Sequence, residues 1–229
     1  MNFKTTARAS AIAAAAVLLS SVMLPQAAEA ATPRAPFQAA APAQQRALPE
    51  PPSAAQVRTE IDTLVVEAPH SMAGYSRAQF PHWITQSGKC DTREVVLQRD
   101  GQGVQVDSEC RAVSGTWVSP YDGKVLTAAS QADIDHMVPL ANAWRSGADG
   151  WTTERRKAFA NDLVHSQLVA VSASSNRSKG DQSPDQWKPP ATGSWCTYAR
   201  AWGDVKHAYG LSITDPEKAA LNAMLDTCG

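Results

Sequence analysis

The stretch Ala132-Asp133-Ile134-Asp135-His136-Met137-Val138-Pro139-Leu140 sets two carboxylates and a histidine directly ahead of an apolar run. Alternation followed by that run predicts a buried strand over 133–140. Neighbours on a strand project to opposite faces, so Asp135 and His136 are free to address different partners, one a metal and the other a substrate. A second strand is predicted over 167–171, followed by the polar run Ser174-Ser175-Asn176-Arg177-Ser178-Lys179. If the two strands pair and the polar run opens a helix capped by Ser174 or Ser175, Asn176 offers an amide oxygen from the first turn. A carboxylate with an amide oxygen is a hard-oxygen set suited to Mg²⁺, which leaves His136 to act on water.

Working outward, residues 56–67 place Val57, Ile61, Leu64 and Val65 at helical spacing. Residues 70–86, with Tyr75, Phe80 and Trp83, read as packed but irregular chain. Val95-Val96-Leu97 and Val104-Gln105-Val106 flank a Gly-rich turn and predict strand, turn and strand; a further hairpin is predicted where 115–118 and 124–126 bracket Ser119-Pro120-Tyr121-Asp122-Gly123. Helices are predicted around 153–161, over 197–209 and over 215–227, the last opened by Thr214-Asp215-Pro216-Glu217.

The ends of the chain bear on compartment. Residues 1–30 carry Lys4 and Arg8, an apolar run from Ala11 to Leu24 and the small-residue pattern Ala28-Glu29-Ala30, which reads as a secretory signal peptide. The run is too short to span a bilayer, so an exported protein free of the membrane is expected. Residues 31–55 are rich in proline and alanine and read as a flexible segment, leaving 56–229 as one domain. Its four cysteines, Cys90, Cys110, Cys196 and Cys228, lack metal-site spacing, and export favours disulfides; of three connectivities, Cys90 with Cys110 and Cys196 with Cys228 is the chosen pairing. Without residues 1–30 the chain holds 19 basic and 21 acidic residues, so bulk positive charge cannot hold a polyanion. Any such binding must be local or metal-assisted.

The pattern Asp135-His136-Met137-Val138-Pro139-Leu140, a connection ending in Leu168-Val169-Ala170-Val171, then Asn176-Arg177-Ser178-Lys179-Gly180-Asp181 and Pro184-Asp185-Gln186-Trp187-Lys188-Pro189-Pro190 resembles the HNH, or ββα-metal, endonuclease superfamily. Within it, the chain is similar to secreted proteins carrying a domain like the C-terminal domain of the GmrSD restriction endonucleases. The resemblance implies an α+β fold with a ββα-metal core over 133–190, an additional β-hairpin region and flanking helices. It implies Asp135 and Asn176 as ligands of one divalent metal, Mg²⁺ ahead of Mn²⁺ or Zn²⁺, and His136 as the general base. The middle position of the motif, usually asparagine, holds Gln167 here; either its carbonyl braces His136 or Asn161 takes a related role. Lys179 and Asp181 match the motif, steadying the helix or touching phosphate, and Arg177, Arg200 and Lys206 are candidate phosphate contacts.

Plainer structural readings stand beside these. An Asp–His pair beside a strand is commonly a hydrogen-bonded structural pair, Trp187 suits core packing, and Arg200 and Lys206 suit a solvated helix face. His165 and His207 are candidate extra ligands, although nothing in the sequence places them near Asp135, and His70 and His82 read as surface or core histidines. The expectation is a monomeric, secreted endonuclease acting on DNA, or RNA. The rival is a binding module in which the same scaffold has lost activity.

Overall fold

Ser53, accepting a hydrogen bond from the Gln56 amide at 3.2 Å, caps the first helix in the computed structural model, which describes residues 48–229. The expected signal peptide, 1–30, and residues 31–47 lie outside the described residues. In chain order the elements are α1 (Ala54–Thr63), β1 (Thr85–Ser87), β2 (Cys90–Asp91), α2 (Thr92–Asp100), β3 (Gln102–Val106), β4 (Ala112–Val118), β5 (Val125–Leu126), β6 (Ala132–His136), α3 (Leu140–Arg145), α4 (Thr153–Ala160), β7 (Leu168–Ser172), α5 (Ala173–Lys179), α6 (Trp195–Tyr209) and α7 (Asp215–Leu225). The fold is α+β with small antiparallel sheets: β1 with β2, β3–β4–β5, and β6 with β7. Among the described residues no helix is long and apolar enough to cross a membrane.

The β6–β7 pair separates two apolar clusters. Leu168 and Ala170 of β7 join Ile134, Val96, Leu97 and Trp117 on one side. Val169 and Val171 join Ile61, Phe159, Tyr198 and Trp202 on the other. Because side chains alternate along a strand, Ala132 and Ile134 go to the first cluster and Asp133 and Asp135 turn to the second side. Helix α5 follows β7 without a break. Ser172 is its cap, its hydroxyl accepting from the Ser175 amide at 3.2 Å, so the expected caps Ser174 and Ser175 lie inside the helix and Asn176 stands at its fourth position.

Several boundaries depart from expectation. The strand predicted at 95–97 is the helix α2: Asp91 accepts from the Glu94 amide at 2.9 Å, and Val96, Leu97 and Asp100 share a buried face. The cap and burial override the β preference of paired valines. The strand β3 pairs with β4 instead, while the β4–β5 hairpin forms as expected, with Trp117 opposite Leu126. The strand predicted over 133–140 ends at His136, and Pro139, without an N–H to give, caps α3. Helix α1 ends at Thr63 rather than 67; Leu64 is extended and Val66 bridges Ile213 in parallel.

Both expected disulfides are present, Cys90–Cys110 and Cys196–Cys228, with Cα separations of 5.1 and 5.0 Å. From Pro49 the proline-rich segment lies on the domain. Ser166 Oγ donates to the Pro49 carbonyl at 2.6 Å, and Arg200 Nε donates to the Pro52 carbonyl at 2.6 Å.

Candidate functional site

At the C-terminal end of β6, Asp135, His136 and Asn176 line one cleft of about 240 Å³ together with Tyr75, Arg77, Pro139 and Asp181. The strand register and the β7-to-α5 turn bring these three together although 40 residues separate His136 from Asn176. A larger groove of about 690 Å³, which shares Asp181 with this cleft, is lined by Glu67, Asp185, Asp215 and Arg145 among others. It holds neither His136 nor the Asp135 and Asn176 oxygens, so the smaller cleft is the candidate site.

Asp135 is buried and takes both of its protein hydrogen bonds on Oδ2, from Lys179 Nζ at 2.8 Å and the Tyr121 hydroxyl at 2.6 Å. Burial raises its carboxyl above the ordinary range, and the Lys179 charge pulls it back. Burial likewise lowers Lys179, against the pull of Asp135. The two charges are kept because each is the other's partner. Oδ1 of Asp135 accepts no hydrogen bond among the described residues. Asn176 Nδ2 donates to Asp133 Oδ2 at 3.0 Å, which turns its amide oxygen away from that carboxylate.

His136 is buried, and its Nε2 lies 3.0 Å from the Ala160 carbonyl. A carbonyl only accepts, so Nε2 carries the proton and Nδ1 keeps its lone pair. Burial, the largest influence, drives the imidazole pKa down to about 3, so the ring is neutral at physiological pH. The Trp83 ring stacks on it, with centroids 5.6 Å apart and planes at 28°.

Among the described residues, neither candidate for the middle motif position makes a side-chain hydrogen bond to the His136 ring. Gln167, fully buried, donates from Nε2 to the Val138 carbonyl at 2.9 Å and accepts from the Val138 amide on Oε1 at 3.1 Å. With the Met137 amide on the Gln167 carbonyl at 2.7 Å, it extends the strand pairing past His136 and fixes the turn into α3. Asn161 reaches the other way: Nδ2 donates to the carbonyls of Pro81 and Lys157, and Oδ1 accepts from the Ile84 amide and Thr92.

The candidate phosphate contacts divide. Arg177 is exposed on α5. Lys179 is fully buried, donating to Asp135 and to the His136 carbonyl at 2.9 Å, so phosphate cannot reach it. Lys206 is also fully buried, held by Ser146, the Ser212 carbonyl and Glu217. Arg200 is spent on Glu50 and the proline-rich segment. Arg77, which the sequence pattern did not mark, is the exposed cation lining the cleft, with Nε donating to His82 Nε2 at 3.2 Å.

Among the described residues no group of three or more His, Cys, Asp or Glu side chains is arranged to hold a metal ion. The donors at hand are oxygens, the Asp135 carboxylate and the Asn176 amide, with the other carboxylate of the cleft, Asp181, paired with Arg145. That small set fits Mg²⁺, which keeps much of its water shell and accepts one or two protein oxygens.

An antiparallel strand pair leading straight into a helix, with acid, imidazole and amide gathered at one end, defines a polar site suited to hydrolytic chemistry. Residues 98–224, which carry β6, β7 and α5, match the family model described as GmrSD restriction endonucleases, C-terminal domain. An uncharacterized secreted protein of Arthroderma benhamiae is 56% identical over 180 residues, 79% of this chain and 88% of that protein. The chain belongs to the GmrSD C-terminal domain family, its domain is nuclease-like, and the protein is secreted. No solved structure matches it.

Proposed function

We propose that the protein is a secreted, metal-dependent endonuclease of the HNH type that hydrolyses phosphodiester bonds, DNA ahead of RNA. The observation that carries this reading is the convergence of Asp135, His136 and Asn176 on one cleft beside an exposed arginine, Arg77. Asp135, through Oδ1, and Asn176, through its amide oxygen, would hold one divalent metal, Mg²⁺ by donor type and Mn²⁺ or Zn²⁺ as alternatives. Such an ion neutralises charge that develops on the phosphoryl and leaving oxygens.

His136 is the general base. Its Nε2 proton is committed to the Ala160 carbonyl, so Nδ1 takes the proton of the attacking water. Burial makes the imidazole a weak base, and the Ala160 carbonyl, accepting from Nε2–H, acts against that by supporting the charged form. Lys179 and Tyr121 hold Asp135 by one oxygen and leave the other for the cleft. Gln167 fixes the backbone just past the base. Arg77 and Arg177 supply local positive charge in a chain that is acidic on balance, the geometry that phosphate positioning requires.

The test is digestion of supercoiled plasmid and of RNA by the oxidised protein with Mg²⁺, Mn²⁺, Zn²⁺ or chelator. Cleavage that needs added metal supports the reading. A folded, metal-supplied protein that leaves both substrates intact contradicts it.

A further inference from the structure

Trp83 has a φ of 58°, a left-handed backbone conformation that a bulky aromatic residue adopts rarely and at the expense of stability. Its ring is partly buried, packed at the edge of the second apolar cluster, and hydrogen bonds from one buried side chain hold the backbone in that geometry. Asn161 enforces it. The Asn161 side chain donates to the Pro81 carbonyl at 2.8 Å and accepts from the Ile84 amide at 3.1 Å, gripping both ends of the 81–84 segment. Thr92 Oγ1, donating to the same Asn161 oxygen at 2.7 Å, completes the hold. Trp83 then lies flat on His136, while His82 packs against it edge-on at 5.3 Å.

The other restraint on the imidazole comes from the same place. Ala160, whose carbonyl takes the His136 Nε2 proton, immediately precedes Asn161 at the end of α4. One buried amide therefore fixes both the surface that covers the ring and the end of the helix that orders its proton.

We infer that Asn161 and Trp83 form a clamp that sets the plane and tautomer of His136, a positioning role that rests on His136 serving as the base. Trp83 lies outside residues 98–224, so the family match does not assign it this part. Without the clamp, the ring is free to rotate about its side-chain bonds and exchange which nitrogen faces the cleft. Misplacement of a reacting group by about 1 Å lowers a rate by up to about 10²-fold.

The variants are Trp83→Gly, which removes the ring and is at ease at positive φ, Trp83→Phe, which restores a smaller ring, and Asn161→Ala. Two readouts are needed: ¹⁵N–¹H correlation spectra of the His136 ring in the oxidised, metal-free protein, and kcat and KM for plasmid cleavage. Trp83→Gly should fold, show both tautomers where the wild type shows Nε2–H alone, and lose about 10- to 100-fold in kcat with KM within about twofold. Trp83→Phe should recover most of both signals. An unchanged ring spectrum or an unchanged kcat in Trp83→Gly overturns the clamp, whether or not Asn161→Ala folds. If the wild type cleaves nothing, the base assignment fails, and the ring spectrum alone decides the clamp.

Discussion

Replacing Lys179 by methionine tests which of its two expected roles this lysine fills, an internal support of the site rather than a phosphate contact. Methionine keeps much of the length and apolar volume and deletes the charge. The Asp135 carboxylate then loses its 2.8 Å partner in a buried setting, and the His136 carbonyl loses its 2.9 Å donor. Breaking a buried pair from one side costs about 3–5 kcal/mol, because the remaining charge stays desolvated. For a domain of this size, each kcal/mol moves the melting temperature by about 2–4 °C, so the variant should melt roughly 6–20 °C lower. Urea denaturation of the oxidised protein measures the loss, and the cycle with Asp135→Asn isolates the pair. The double variant should be more stable than Lys179→Met alone, since it buries no orphan charge, with a coupling energy of about 1–3 kcal/mol. A loss below about 1 kcal/mol for Lys179→Met, or strictly additive effects, would refute the reasoning.

Other consequences are smaller in scope. Arg77→Ala should leave the melting temperature unchanged, raise KM for nucleic acid and flatten the salt dependence of binding by about one phosphate contact; Arg200→Ala should do the reverse, lowering stability with the salt slope intact. Gln167→Asn, although it restores the usual residue of the motif, should lose about 1–3 kcal/mol in urea, because the shorter arm strands the Val138 amide or carbonyl; equal stability would contradict this. Asp162 is buried, which raises its carboxyl, yet the His165 and Val164 amides, the His165 ring and the Tyr209 hydroxyl outweigh that and lower it. A carboxylate lowered by folding adds stability above its unfolded pKa, near ~3.9, that is lost as pH falls through the folded value. Asp162→Asn should therefore be less stable than wild type at neutral pH, with the gap closing below about pH 4 in melts recorded across pH.

The strand pair, α5, the β4–β5 hairpin and the two C-terminal helices were legible because their signals are local: apolar runs, a turn sequence between β4 and β5, a Thr cap and a proline in the first turn of α7, although the cap of α5 is Ser172 and not Ser174 or Ser175. Cysteine order led to the chosen disulfides once export was accepted. The helix α2 was hidden because paired valines favour a strand until Asp91 caps the segment and Val96 and Leu97 are buried. At the site, Asp135, His136 and Asn176 were visible as residue types in a spaced motif, but their partners were not. Lysine is ordinarily a surface residue, and only the tertiary fold shows that Lys179 and Lys206 lie in the core against Asp135 and Glu217. Arg77 reaches the cleft, and Trp83 the His136 ring, from a segment with no regular periodicity, more than 50 residues ahead of His136, where no spacing argument connects them.

The measurement that bears most directly on the account is the rate of plasmid nicking by wild type and by His136→Ala, side by side, as oxidised proteins with Mg²⁺ and matched melting temperatures. Removal of a general base lowers the rate by roughly 10²- to 10⁴-fold, and the account predicts a loss in that range. Nicking by His136→Ala at the wild-type rate would contradict it.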